Sequence, residues 1–136
     1  MVKPTKVEMA LIGFVIKYRD IELLLSLTDN LFSSEACINL LNKYRTHMLP
    51  LNIFAEKLTI EEKSFLKECV DITKEYKKQD IPKLIEILED AYMKRKLYQL
   101  STDIYKDIEN NESSYNIIRK IDKLSSTLYS GIPYNN

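Results

Sequence analysis

Apolar residues recur along this chain at the three- and four-residue spacing that is typical of α-helices. The opening run is apolar on most sides and predicts a buried helix, whereas later runs keep polar faces. Polar segments such as Thr28-Asp29-Asn30 and NNESS separate the runs. The pattern predicts an all-α protein. The apolar positions of the opening run are Val7, Ala10, Leu11, Ile12, Phe14, Val15 and Ile16.

Helix starts are marked by short polar motifs. Thr5-Lys6-Val7-Glu8 and Thr59-Ile60-Glu61-Glu62 have the spacing of a capping box, in which a hydroxyl and a carboxylate bond each other's backbone N–H groups. A serine N-cap is expected at Ser33-Ser34. Pro82 suits the first turn of the longest helix, where a missing N–H does no harm. These signals predict where several of the helices begin.

The longest predicted helix changes the expected architecture. No glycine or proline interrupts residues 83–110, and about 28 helical residues span about 42 Å. The preceding residues would form a globule only about 30 Å across. We therefore predict a compact helical head over residues 1–79 and a long two-helix antiparallel hairpin over residues 80–129. The hairpin is expected to pack on the head and project from it, and residues 130–136 to begin a linker or a disordered tail.

Apolar stripes on the two arms of this hairpin predict an interface. A projecting pair of helices cannot bury all of its apolar surface, so some stripe residues should close the hairpin and others should meet a second chain. The stripe of the first arm is Leu97, Leu100, Ile104 and Ile108, and that of the second arm is Ile117, Ile121, Leu124 and Leu128.

The charge balance narrows the kind of partner. Twenty basic and twenty acidic residues give no net charge, which argues against sequence-independent nucleic-acid binding as the main activity. Lys94-Arg95-Lys96 is a local basic cluster, and Tyr98 and Tyr105 belong to the same predicted hairpin. Since tyrosine is favoured at protein interfaces, these five residues are candidate partner contacts.

The sequence contains no familiar catalytic motif. It has neither a GxxxxGK[ST] nor a GxGxxG phosphate loop, and its one histidine, His47, is expected on the surface near a helix end. Cys37 and Cys69 are interpreted as buried free thiols in a reducing compartment. We expect a non-enzymatic chain without metal or cofactor. No signal peptide or membrane span is recognisable, which favours the cytoplasm.

Gly13 stands in the middle of the most apolar helix, although the chain has only two glycines. A glycine inside a helix costs about 1 kcal/mol relative to alanine. It is expected where another helix must approach closely. On this interpretation Gly13→Val should destabilise by about 2–3 kcal/mol through overpacking, and Gly13→Ala should be milder.

Several segments follow one another in an order that resembles a known family. They are VEMALIGFVI with Glu8, Ala10, Leu11, Ile12 and Gly13, then DNLF, LNIFAEKL, IPKLIEILEDAYMKRKLYQLSTDIYKDI and SSYNIIRKIDKLSSTL. Over residues 7–129 they resemble the N-terminal domain of DnaB-family replicative helicases, which opens with an acidic-x-Ala-Leu-Leu-Gly helix. The chain departs from that pattern at Ser33-Ser34-Glu35, where the family has aromatic and basic residues. LNIFAEKL also lacks the family's aspartate.

The resemblance implies a scaffold. In that family this domain is a helical head with a hairpin, the hairpins pair between subunits, and a trimer of dimers forms a collar above the ATPase ring. The collar receives the C-terminal domain of primase, and a helicase loader is a further expected partner. The ATPase domain follows a linker, near which this chain ends. DNA contact by this domain is at most indirect.

Two other interpretations remain open. The C-terminal helicase-binding domain of bacterial primases shares the head-plus-hairpin layout, although it lies at the end of a longer chain whereas this sequence begins with Met1. A small helical regulator or loader that binds a helicase, of bacterial or phage origin, is the second alternative. A continuation of the gene into a phosphate-loop ATPase would decide between them.

Overall fold

The computed structural model describes residues 4–130, which form helices joined by turns, with no strand among them. The predicted all-α class is confirmed. The linker expected at residues 130–136 lies, beyond Ser130, outside the described residues. The helices are α1 (Pro4–Tyr18), α2 (Ile21–Ser26), α3 (Glu35–His47), α4 (Leu51–Glu56), α5 (Ile60–Ile72), α6 (Ile81–Glu109) and α7 (Ser114–Ser130), with 3-10 turns at Asp29–Leu31, Thr73–Glu75 and Lys78–Asp80.

Side-chain caps bound α3 and α5 where the sequence predicts them. Thr59 Oγ1 accepts a hydrogen bond from Glu62 N (3.2 Å), and the Glu62 carboxylate accepts one from Thr59 N (2.9 Å). Ser34 Oγ accepts from Cys37 N at the start of α3. These bonds satisfy backbone N–H groups that a helix leaves without intrahelical partners.

The predicted capping box at Thr5-Lys6-Val7-Glu8 is wrong. α1 already includes Pro4, so Thr5 lies inside the helix and is not its N-cap. Glu8 is fully buried and bonds another part of the chain. The local spacing of the motif was correct, but a tertiary partner binds the carboxylate that the motif requires.

The chain divides into two units, Met1–Leu88 and Glu89–Asn136. The first unit holds the hydrophobic core, in which α1 is buried along almost its whole length and Tyr44 packs edge-to-face on Phe54 with ring centroids 5.3 Å apart. Leu84 and Leu88 belong to that core, so the first turns of α6 are part of the first unit. The division between the units thus lies within α6, after residue 88, whereas the sequence analysis placed the end of the head at residue 79.

The second unit consists of the rest of α6, a short turn and α7. Asn111 has a left-handed backbone (φ 59°) at the turn, and Ser113 Oγ accepts a hydrogen bond from Asn116 N at the start of α7. Lys120 of α7 forms an ion pair with Asp107 of α6 at 3.1 Å. Within residues 89–128, Ile117 is the only buried side chain.

No helix in residues 4–130 combines the length and the apolar character needed to cross a lipid bilayer.

Candidate partner-binding surfaces

A cleft lies between α6 and α7 in the second unit. It has a volume of about 310 Å³ and an apolar floor. Because Leu100 faces Leu124 here while Asp107 pairs with Lys120 farther along, the two helices run in opposite directions at these contacts. The cleft is lined by Tyr92, Lys96, Gln99, Leu100, Asp103, Leu124, Thr127 and Leu128.

The predicted basic cluster is divided in the structure. Lys94 forms an ion pair with Asp90 one turn earlier in α6, at 2.9 Å. Arg95 lies over the ring of Tyr92, with Cζ 5.9 Å from the ring centroid. Lys96 lies over the same ring, with Nζ at 5.7 Å, and it also lines the cleft. Adjacent positions in the sequence therefore serve different surfaces.

A second surface lies on the other flank of α6. Leu97, Tyr98, Tyr105 and Ile108 are 47%, 77%, 63% and 59% exposed, and we call these four residues the outer stripe. At 100° per residue, Leu97 and Ile108 lie about 160° around the helix from Gln99 and Tyr92 of the cleft. The centres of the outer stripe and of the cleft are thus on opposite sides of α6, although Leu97 and Leu100, at their edges, are only about 60° apart around the helix.

The two predicted apolar stripes do not face each other as complete sets. Leu100, Leu124 and Leu128 line the cleft. The remaining five differ in burial, since Ile117 is buried, Ile104 and Ile121 are half-buried, and Leu97 and Ile108 are exposed.

This division follows from the composition of α6. Apolar side chains surround the second half of the helix instead of marking one face, so spacing alone does not reveal which of them faces α7. The sequence analysis also missed Ile118 of α7, which is 57% exposed. The cleft residues Tyr92, Gln99, Asp103 and Thr127 were missed as well, because nothing local marks them.

The close helix contact expected at Gly13 is present. A Cβ at position 13 would lie 2.8 Å from the carbonyl carbon of Cys69 and 2.6 Å from Thr73 Cγ2, and even closer to the Cys69 carbonyl oxygen. The first and last of these atoms are α5 backbone, which moves only if the helix moves. α1 therefore packs against α5 at a distance that only glycine permits.

Glu8 is the polar anchor of the first unit, and the sequence analysis assigned it a different partner. Its carboxylate accepts hydrogen bonds from Ser33 N (2.8 Å), Ser33 Oγ (2.8 Å) and Ser34 N (3.0 Å). These donors precede the first turn of α3, where the helix dipole also favours negative charge. A lone glutamate in an otherwise apolar helix was the available signal, because a buried carboxylate must have partners.

The first unit also has a groove, which is a further candidate for a binding surface. Leu24, Leu25, Leu27 and Met48 supply apolar walls, and the volume is about 530 Å³. Its one cation, Arg45, already donates to Asp29 Oδ1 (2.6 Å) and to the Leu27 carbonyl (2.5 Å). The guanidinium group of Arg45, which would select a ligand by its charge, is therefore already hydrogen-bonded within the protein.

Cys37 and Cys69 are both fully buried and free. Burial raises the pKa of the Cys37 thiol to about 11 and that of Cys69 higher still, which keeps both thiols protonated. His47 is exposed at the end of α3. Within residues 4–130, no three His, Cys, Asp or Glu side chains are grouped as metal ligands would be.

No family model, curated protein or solved structure gives a significant match to this chain.

Proposed function

We propose that this chain is a non-catalytic scaffold domain that pairs with a second copy of itself through the outer stripe and recruits another protein. The observation that carries the proposal is the exposure of four large apolar side chains in a row on α6. Exposed apolar surface of this kind is typical of interaction sites. The same unit buries only Ile117 among residues 89–128, so a second copy would supply the burial that it lacks.

The arrangement of the stripe suits two-fold pairing. The stripe residues Leu97 and Tyr98 lie four and three residues before Ser101, and Tyr105 of the stripe lies four residues after it, beside the half-buried Ile104. A two-fold axis near Ser101 would place the first pair of one copy against the second pair of the other. Ser101 Oγ donates to the Leu97 carbonyl of its own helix (2.9 Å), so this small residue needs no polar partner at the crossing.

Charge favours antiparallel over parallel pairing of the two α6 helices. Arg95 precedes the stripe, together with Lys94, whose charge Asp90 partly balances, and Glu109 and Glu112 follow it. An antiparallel partner would place its acidic end beside the basic end of the first copy, whereas a parallel partner would bring like charges together.

The protein class that we propose is the N-terminal domain of a cytoplasmic replicative helicase of the DnaB type. In that role the paired hairpins would build the collar of a trimer of dimers, and the partner would be the primase C-terminal domain. The support is the order of the motifs, from the Glu8–Gly13 segment to the two long helices. The contacts of Gly13 add to it, because they explain why that segment contains a glycine.

Self-pairing is tested by sedimentation equilibrium of the purified chain. We expect association at tens of micromolar, and Tyr98→Asp should weaken it by at least about tenfold, because the carboxylate would be buried without a partner. The matched control is Ile60→Asp, a substitution at an 83% exposed position of the first unit. A strict monomer up to about 1 mM would contradict the proposal.

The orientation is tested by charge exchange. Lys94→Glu with Arg95→Glu should weaken association, and so should Glu109→Lys with Glu112→Lys. The chain with all four substitutions should recover it, because the complementary ends are restored in exchanged positions. No recovery would exclude the antiparallel arrangement.

Recruitment is tested by titration calorimetry with the primase C-terminal domain from the same organism. We expect saturable binding that reversal of Lys94-Arg95-Lys96 weakens, and an ATPase rate at background with or without single-stranded DNA. Measurable ATP turnover would overturn the proposed class. Absence of primase binding would move the partner to a helicase loader.

A further inference from the structure

The cleft between α6 and α7 differs from the outer stripe in chemistry as well as in position. Its floor is apolar, with Leu100 of α6 and Leu124 and Leu128 of α7, and Tyr92 also lines it. Its rim is polar. Because the centre of the cleft lies on the opposite side of α6 from the centre of the outer stripe, self-pairing through the stripe would approach only its edge at Leu100.

The size of the cleft suits side chains of a partner better than a whole cofactor. Its volume of about 310 Å³ is at the lower end of the range of about 300–1,000 Å³ that is usual for small-molecule sites. An amphipathic helix that lies across a groove inserts apolar anchors three or four residues apart, which need this amount of space.

The charges on the rim indicate which partner fits. Within residues 4–130 Lys96 forms no ion pair, in contrast to Lys94, which pairs with Asp90. Asp103 at the other side of the rim lies near Lys120, where its charge helps Asp107 to raise the pKa of that lysine. The negative charge of Asp103 is therefore partly balanced, whereas Lys96 is a rim charge without an ion-pair partner among the described residues.

We infer that this cleft is a docking site for an acidic amphipathic helix of a partner protein. Apolar side chains of that helix occupy the floor formed by Leu100, Leu124 and Leu128, and a carboxylate beside them pairs with Lys96. This inference rests on the proposed function in one respect: the helix that occupies the cleft belongs to the recruited protein. It assigns self-pairing and recruitment to opposite sides of one helix.

The probe is a capped alanine-based helical peptide of about 16 residues. It carries two leucines four positions apart and one glutamate adjacent to them on the helix surface. Binding to the full chain is followed by the methyl resonances of the cleft leucines. We expect saturable shifts of these methyls with a dissociation constant of about 1 mM or tighter. The peptide with glutamine in place of glutamate should bind about three- to fivefold more weakly.

Two variants of the chain sharpen this test. Lys96→Gln should remove the difference between the glutamate and glutamine peptides, whereas Lys94→Gln, the matched control, should preserve it. Thr127→Phe places a ring in the cleft at an exposed position of α7 and should abolish the leucine shifts without changing self-association. Tyr98→Asp should do the reverse.

The possible outcomes separate this inference from the proposed function. If the cleft methyls do not shift at millimolar peptide while the chain still self-associates, the docking site is wrong and the scaffold stands. If Thr127→Phe abolishes self-association, a second copy occupies the cleft and the inference is overturned. If the chain is a monomer but binds the peptide in the cleft, the site stands without self-pairing.

Discussion

The two units of this chain use apolar residues in opposite ways. In the first unit α1 is buried along nearly its whole length, its one carboxylate has three donors, and its glycine touches the α5 backbone. In the second unit α6 and α7 also carry many large apolar side chains, but Ile117 is the only one of them buried within residues 89–128. The first unit therefore buries its own apolar residues, whereas the second leaves much of its apolar surface exposed.

The largest effect should come from removing the buried anchor of the first unit. Glu8→Ala leaves the N–H groups of Ser33 and Ser34 without an acceptor and should lower the free energy of unfolding by about 3–4 kcal/mol. Urea unfolding followed by circular dichroism measures it. Glu22→Ala, at an exposed position of α2, is the control and should stay within about 0.5 kcal/mol of the wild type. If the two variants are equally stable, the buried carboxylate of Glu8 does not stabilise the first unit more than an exposed carboxylate does.

The second effect concerns Gly13. Valine there must displace the α5 backbone or Thr73, and Gly13→Val should destabilise by about 2–3 kcal/mol. Gly13→Ala should cost about 1–2 kcal/mol, because the clash exceeds the gain in helix propensity of about 1 kcal/mol. The same urea experiment measures both. An alanine variant more stable than the wild type would show that α1 and α5 separate easily.

The smallest effect should appear in the second unit. Ile117 is 8% exposed and its neighbour Ile118 is 57% exposed, so the pair forms a matched comparison. At concentrations where the chain is monomeric, Ile117→Ala should reduce amide-exchange protection in α7 by about 1–2 kcal/mol, and Ile118→Ala should change it by less than about 0.5 kcal/mol. Equal effects would mean that the second unit has no interior of its own.

The sequence allowed the helices to be placed because their signals are local. The Thr59–Glu62 capping box, Ser34 and Pro82 act within one turn of the backbone, and each lies where a helix begins in the structure. The helix contact at Gly13 was also predictable, since a glycine inside a buried helix needs a physical reason.

Features that depend on distant residues were not predictable from spacing. Glu8 matches a local capping motif, but its donors are 25 and 26 residues away and favour a different bond. The side of α6 that faces α7 could not be predicted from the sequence either, because Leu97 and Leu100 are one turn apart and equally apolar. Their different exposure depends on how α7 lies against them, and this is a tertiary property.

The position of the two thiols gives the chain a built-in reporter. Both cysteines lie in the first unit, fully buried, and a protonated, inaccessible thiol does not react with alkylating reagents. Alkylation of the unmodified chain therefore requires the first unit to open. Separation of α6 from α7 beyond residue 88 exposes no cysteine and causes no alkylation. The rate at which the mass of the chain increases, followed by mass spectrometry, would therefore report opening of the first unit without any engineered label.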